Sequence, residues 1–454
     1  MFVILDYIIN KCRPFLQVFA LGMFLFSGPL IYFLRDAVGL AKGSSIFTVA
    51  MMMGPMIMCF PFVNLKKVYT PDKIAYKLSA YFILLGLIYL MVYAPNRGWF
   101  TNTYYELGVM IVIAYLYFFL STVSVRDLNK YFVELAIVIT SVGGVLFLIY
   151  LLRNPYFVIG QRASITFGNS ETEGFGNPHI YAKASYLGIV ASILYLSKPK
   201  NLVLQIINFG CIFIHIIILG LTLSMTTNAT FVLFLCLYSY FNLSVGKVYV
   251  RLKKILLSPV FWIFLTVFIF KANEYYQKNA GPITNIALTI SKRVDILGET
   301  FFPYFYKSKD SRVVYKQRID GSASARIDNY ATLTKTFSKN LSEGNILPIL
   351  FGNGYHKLYV DVPVLEALHS FGLVGFLLFM TFFIYMGWQV LREMKNPHSL
   401  ATEYIAYAYL YFFLYTFSGG LIIDYIRWGF FAFVCRFLPI TFKKEAPKTV
   451  NDNL

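Results

Sequence analysis

Between Ser311 and Gly375 the chain gathers the residue types that bind anions and move protons. Three arginines come first: Arg312, Arg318 and Arg326. A guanidinium offers a planar fork of donors that fits phosphate or carboxylate oxygens two at a time. A turn-rich stretch follows, Phe351-Gly352-Asn353-Gly354-Tyr355, and then an apolar run whose first turns carry Asp361, Glu366 and His369. A carboxylate or an imidazole is the kind of group that takes a proton from an attacking hydroxyl. Ionisable residues at the mouth of an apolar helix mark a functional site. Glu366 and His369 are three apart, so they are neighbours on one helical face. His369 falls about 9 Å in from Pro363 at the rise of an α-helix. Asp361 has a second, structural reading as the cap of the helix that Pro363 opens.

Two other clusters carry chemistry. The segment GQRASITFGNSETEGFGNPHIYAKAS holds Arg162, the turn Phe175-Gly176-Asn177-Pro178, and then His179 and Lys183 at a helix start. Backbone N–H groups of such a turn, with the helix N-terminus behind it, favour an anion. The bland alternative for Arg162 is a solvated loop arginine. Near the chain's end Asp424 and Arg427 are three apart, a spacing that suits a structural ion pair and marks the wet face of the last span. His215 and the hydroxyl-rich turn Thr222, Ser224, Thr226, Thr227, Asn228 and Thr230 read as helix-packing residues, with His215 hydrogen-bonded between helices. The five cysteines lie in or beside apolar runs with no CxxC spacing, so neither a disulfide nor a metal site is expected.

The elements that must position these residues are membrane helices. Apolar residues make up 58% of the 454, charged ones 14% and aromatic ones 19%. Such a chain cannot cover its surface with polar groups, so its solvent is the bilayer. The formal charge of +18 raises a nucleic-acid reading, but the basic residues sit in short loops between apolar runs, which is topology bias. About twelve runs are long enough to span, near 14–34, 44–63, 76–94, 104–123, 131–152, 180–197, 202–222, 227–245, 255–271, 363–388, 401–418 and 421–441. Alternate short loops collect the bases: Lys66, Lys67 and Lys73; Arg126 and Lys130; Lys198 and Lys200; Lys247, Arg251, Lys253 and Lys254; Arg392 and Lys395. Both termini are therefore expected in the cytoplasm, with long outer loops at 153–179 and 272–362 in a single membrane domain, 1–454. The N-terminus lacks the basic-then-apolar order of a signal peptide, since Lys11 and Arg13 follow its apolar run.

The larger loop carries twelve Lys and Arg against eight Asp and Glu, a net of about +4. Its Tyr304, Phe305 and Tyr306 beside Lys307 and Lys309 suit lipid headgroups. From Ala325 to Ser338 apolar positions recur at helical spacing through Ile327, Tyr330 and Phe337, so Arg326 opens a helix. The glycines at 352 and 354 end the loop's helical part.

These pieces resemble the O-antigen ligase and polymerase superfamily of bacterial membrane glycosyltransferases. In that family an outer-loop arginine precedes a long helix, a Pro…Gly-x-Gly turn and a membrane helix with Gly-x-x-Gly. Here they read Arg326, Pro348 with Gly352 and Gly354, and Gly372-Leu-Val-Gly375. The likeness covers about 65 residues, with a weaker one at Arg162 and the Asn177-Pro178 turn, where His179 replaces an asparagine. The ligase histidine falls where this chain has Asp361, which resembles the polymerase branch.

The resemblance implies an all-α polytopic membrane protein of GT-C-like architecture in the bacterial inner membrane, its active site facing the periplasm. It implies transfer of a glycan from polyprenyl pyrophosphate to a sugar hydroxyl of a second lipid-linked repeat unit, without metal or cofactor. Arg326 and Arg162 would act on the pyrophosphate, and Asp361, Glu366 or His369 as base. Arg318, Arg312, His179, Lys183, Tyr330, Asn353 and Arg427 would contact pyrophosphate or glycan. Donor and acceptor repeat units, membrane lipids, a chain-length regulator and a flippase are the implied partners, and nucleic acid is not. Two other readings stand beside the polymerase: a ligase to lipid A core or protein, and a flippase. A transporter would show two similar halves and midplane charges, whereas this chain is lopsided.

Overall fold

A computed structural model describes residues 2–60, 73–92, 99–123, 127–154, 163–165, 177–196, 202–242, 321–355 and 360–438, with a few single residues between. Among the described residues the structure is helical and holds no strand. The helices are α1 (Phe2–Phe26), α2 (Gly28–Tyr32), α3 (Ser45–Met58), α4 (Lys73–Val92), α5 (Trp99–Thr122), α6 (Leu128–Arg153) and α7 (Pro178–Tyr195). They continue with α8 (Leu202–Thr222), α9 (Met225–Asn242), α10 (Gly321–Ser342), α11 (Ile346–Phe351), α12 (Pro363–Lys395), α13 (Leu400–Ser418) and α14 (Tyr425–Phe437). This is an all-α membrane protein: five described helices are long and apolar enough to cross a bilayer, or six if α1 and α2 form one bent span.

Several expected spans come out differently. The run at 14–34 is broken at Ser27 and bends by 67°, because Pro29 has no N–H to continue the ladder and its ring crowds the preceding turn. Five residues of π-helix, Phe33–Ala37, follow. The run at 44–63 yields only the 14 residues of α3, with Pro55 inside it. By contrast α8 runs over the expected 202–222, with α9 following after a two-residue turn, and both pack on α7. Of the run at 255–271 only Trp262, Thr266 and Phe270 are described, each in helix.

The chain divides into two units. The first comprises 1–25, 52–135 and 329–454, and packs α12 against α4, α11 and α13, and α14 against α5 and α13. Its core is aromatic. Trp428 stacks between Phe82 and Phe382, each ring 5.4 Å away, a geometry that adds about 0.5–1.5 kcal/mol per pair beyond area burial. Gly429 lets Phe24 and Leu116 approach the backbone of α14. At the other end of α12, Glu393 accepts from the His398 N–H at 2.8 Å and from the Thr402 hydroxyl, and a Ser399–Thr402 capping box starts α13.

The second unit, 26–51 with 136–328, packs α7 against α2, α8 and α9. Helix α7 is buried nearly all round, as a helix without a polar face must be. Tyr181 stacks on Phe147 at 3.9 Å. His215 is fully buried and shares its Nε2 with the Thr140 and Ser141 hydroxyls, each at 3.2 Å, which is the interhelical role expected of it. Arg35 pairs with Asp36 at 2.7 Å and reaches the Thr48 hydroxyl at 2.9 Å, closing the turn after α2.

Candidate functional site

Helix α12 is not continuous. Gly372 sits at φ 64°, ψ −166°, so the helix stops and restarts within what the sequence presents as one apolar run. A helix that stops leaves its last carbonyls without N–H partners, and in an apolar environment each such group costs several kcal/mol. The Gly-Asn-Gly turn fills that need. The Asn353 N–H donates to the His369 carbonyl at 2.8 Å and the Gly354 N–H to the Ser370 carbonyl at 3.3 Å. The approach is close enough that a Cβ on Gly352 would overlap the Ser370 carbonyl, and one on Gly372 the backbone of Leu350 and Gly352. Both glycines also have positive φ, so each is required twice over. The Tyr89 hydroxyl of α4 donates to the Phe351 carbonyl at 2.5 Å and pins the end of α11.

Three ionisable side chains hold a second loop, between α13 and α14. Asp361 has φ 54°, a strained value for a residue with a Cβ, and its Oδ1 accepts from the Gly420 N–H at 2.9 Å. Glu366, buried, accepts from the Ile422 N–H at 2.7 Å. Arg427 is 1% exposed, donates from Nη2 to the Gly419 carbonyl at 2.9 Å and from Nη1 to the Leu421 carbonyl, and lies over the Tyr415 ring. The capping reading of Asp361 is corrected: Val362 is the residue before α12, with no side-chain cap, and the aspartate turns to Gly420. The expected Asp424–Arg427 ion pair is corrected: Asp424 caps α14 by accepting from the Arg427 backbone N–H at 2.8 Å, while the guanidinium turns to the Gly419 and Leu421 carbonyls.

His369 takes a different place. With Tyr330 and Phe337 of α10, Pro348 of α11, Asn353 and Leu368, it lines a cleft of about 320 Å³. Apolar and aromatic walls with a few polar groups are the usual make-up of a small-molecule site. Behind the Gly-Asn-Gly turn, Tyr355 is buried and donates to Glu106 of α5 at 3.0 Å. Glu106 was not singled out from the sequence, although a lone carboxylate early in an apolar run is the signal that marks it.

In the second unit, Asn177 caps α7 by accepting from the His179 N–H at 3.0 Å, with Pro178 in the first turn. The His179 ring faces the Ser224 hydroxyl at 3.4 Å, and Ser224 in turn meets Thr227 at 2.9 Å. Lys183 is buried one turn further along α7. Arg326 falls in α10, its side chain beyond what is described; Arg162, Arg312 and Arg318 lie outside the described residues. Among the described residues no three His, Cys, Asp or Glu side chains come together as metal ligands.

Fold and geometry together define a helical membrane protein in which a short helix and a glycine turn fold back onto a break in a membrane helix. No family model matches the chain, and no curated protein does.

Proposed function

We propose that the chain is a membrane glycosyltransferase that polymerises glycan repeat units carried on polyprenyl pyrophosphate. The observation that supports this best is the contact between Gly352-Asn353-Gly354 and the break at Gly372. These are two of the three pieces on which the superfamily resemblance rests, and they form one structural device beside a cleft. Within this reading the acceptor hydroxyl attacks the anomeric carbon of the donor. The carbon–oxygen bond to pyrophosphate breaks, and its electron pair leaves with the lipid pyrophosphate. His369, at the cleft, takes the hydroxyl proton. The resemblance assigns Arg326 and Arg162, with Arg318, to the charge growing on the leaving pyrophosphate, the work a divalent metal does elsewhere. Asp361, Glu366 and Arg427 are positioning groups, because their polar atoms hold the 419–422 loop.

Deletion of the gene tests the proposal. Loss of a polymerase leaves glycoconjugates bearing a single repeat unit, since a separate ligase still caps them. Long chains stranded on polyprenyl pyrophosphate would instead identify a ligase, and unchanged polymer outside with no lipid-linked intermediate would remove both.

A further inference from the structure

Helix α11 is built of Ile346, Leu347, Pro348, Ile349, Leu350 and Phe351, and none of the six is buried. Ile346 and Leu347 are 63% and 70% exposed. Six consecutive apolar residues left open in this way are costly in water and mark a surface that something apolar covers. Two hydrogen bonds fix where this surface sits. Asn353, two residues past α11, donates to the carbonyl of His369, about 9 Å inside the start of α12. Phe351 accepts from Tyr89, about one turn before the end of α4 at Val92. Both partners belong to helices apolar and long enough to span a bilayer. The end of α4 that Tyr89 ties to α11 also exposes apolar residues, Ile88, Met91 and Val92.

The backbone agrees. Lipid offers no hydrogen bonds, so non-helical chain at membrane depth survives only where protein satisfies it. The Gly352 N–H donates to Pro348 at 2.9 Å, those of Asn353 and Gly354 to α12, and the Phe351 carbonyl accepts from Tyr89.

We propose that α11 is a re-entrant anchor whose apolar side lies in the acyl chains of the bilayer, with the α10–α12 cleft at headgroup level beside it. An amphiphile diffusing in the membrane then reaches His369 sideways from the lipid. The proposal holds whether or not the chain transfers glycans.

The test uses the full chain with its cysteines replaced, one cysteine restored at Leu347 or, separately, at Ile346, and an environment-sensitive fluorophore attached. The protein is reconstituted in vesicles of phosphatidylcholine and phosphatidylglycerol. Spin-labelled acyl chains should quench both labels several-fold more strongly than aqueous iodide does. A label at Ser338, in the α10 wall of the cleft, should show the reverse order. Iodide quenching at Leu347 and Ile346 equal to that at Ser338 would overturn the anchor. So would protection from both quenchers, since protein rather than lipid would then be the cover.

Discussion

Asp361, Glu366 and His369 look interchangeable in the sequence, three protonatable groups at one helix mouth. The structure gives them different surroundings. Asp361 and Glu366 spend a carboxylate oxygen on the N–H groups of Gly420 and Ile422, while His369 lines the cleft. A base must lie within reach of the proton it takes, so the roles divide. His369→Ala should abolish polymer in cells, as should Arg326→Ala, with the protein still present in the membrane. Asp361→Asn keeps an acceptor oxygen for Gly420 and suits positive φ, and should retain polymer within a few-fold of the parent. Loss of polymer in Asp361→Asn together with retention in His369→Ala would reverse the assignment. The carboxylate set was legible in the sequence because charge in an apolar run stands out. Its division of labour was not, because the partners Gly420 and Ile422 are backbone groups some 56 to 59 residues away.

At the scale of elements, the apolar period of α12 runs straight through Gly372, and hydropathy has no means of reporting a φ of 64°. The glycines at 352, 354 and 372 were visible; that they meet was not, because the approach is decided by backbone-to-backbone distance. The same limit explains the first span, where a continuous apolar run concealed the bend that Pro29 imposes. The device at Gly372 makes a sharp expectation. Alanine there must overlap the Gly352 amide and the Leu350 carbonyl, and the strained φ alone costs of order 1–3 kcal/mol. Gly372→Ala should lower the thermal unfolding midpoint of the purified protein and abolish polymer. Gly387→Ala, in the same helix with open space around its α-carbon, should do neither, and gains helix propensity of about 0.8–1 kcal/mol. An unchanged midpoint in Gly372→Ala would mean that the break is not a structural requirement.

For the whole molecule, composition alone dictated helices in lipid, and the described residues are helical throughout their regular structure. What composition does not count reliably is spans. Helices such as α3 and α14, at 14 and 13 residues, are short for about 30 Å of hydrocarbon, yet α14 is buried in its unit through Trp428, Phe431 and Phe433. Lipid-crossing length is not demanded of a helix that protein surrounds. The sidedness argument rests on a different quantity, the alternation of Lys and Arg between short loops, which is indifferent to whether each helix is straight, bent or short. On that alternation 153–179 and 272–362 are expected on one side and the start of α6 on the other. Single cysteines at Ser170, Ser308 and Ser338 should therefore react with a membrane-impermeant thiol reagent added to whole cells or spheroplasts. One at Asn129, exposed at the first turn of α6, should react only after the membrane is opened. Asn129 labelled from outside while the other three are silent would invert the molecule and put the cleft of His369 on the cytoplasmic face. Labelling of Asn129 and Ser338 from the same side would mean an odd number of crossings fewer between them, and would remove one of the expected spans.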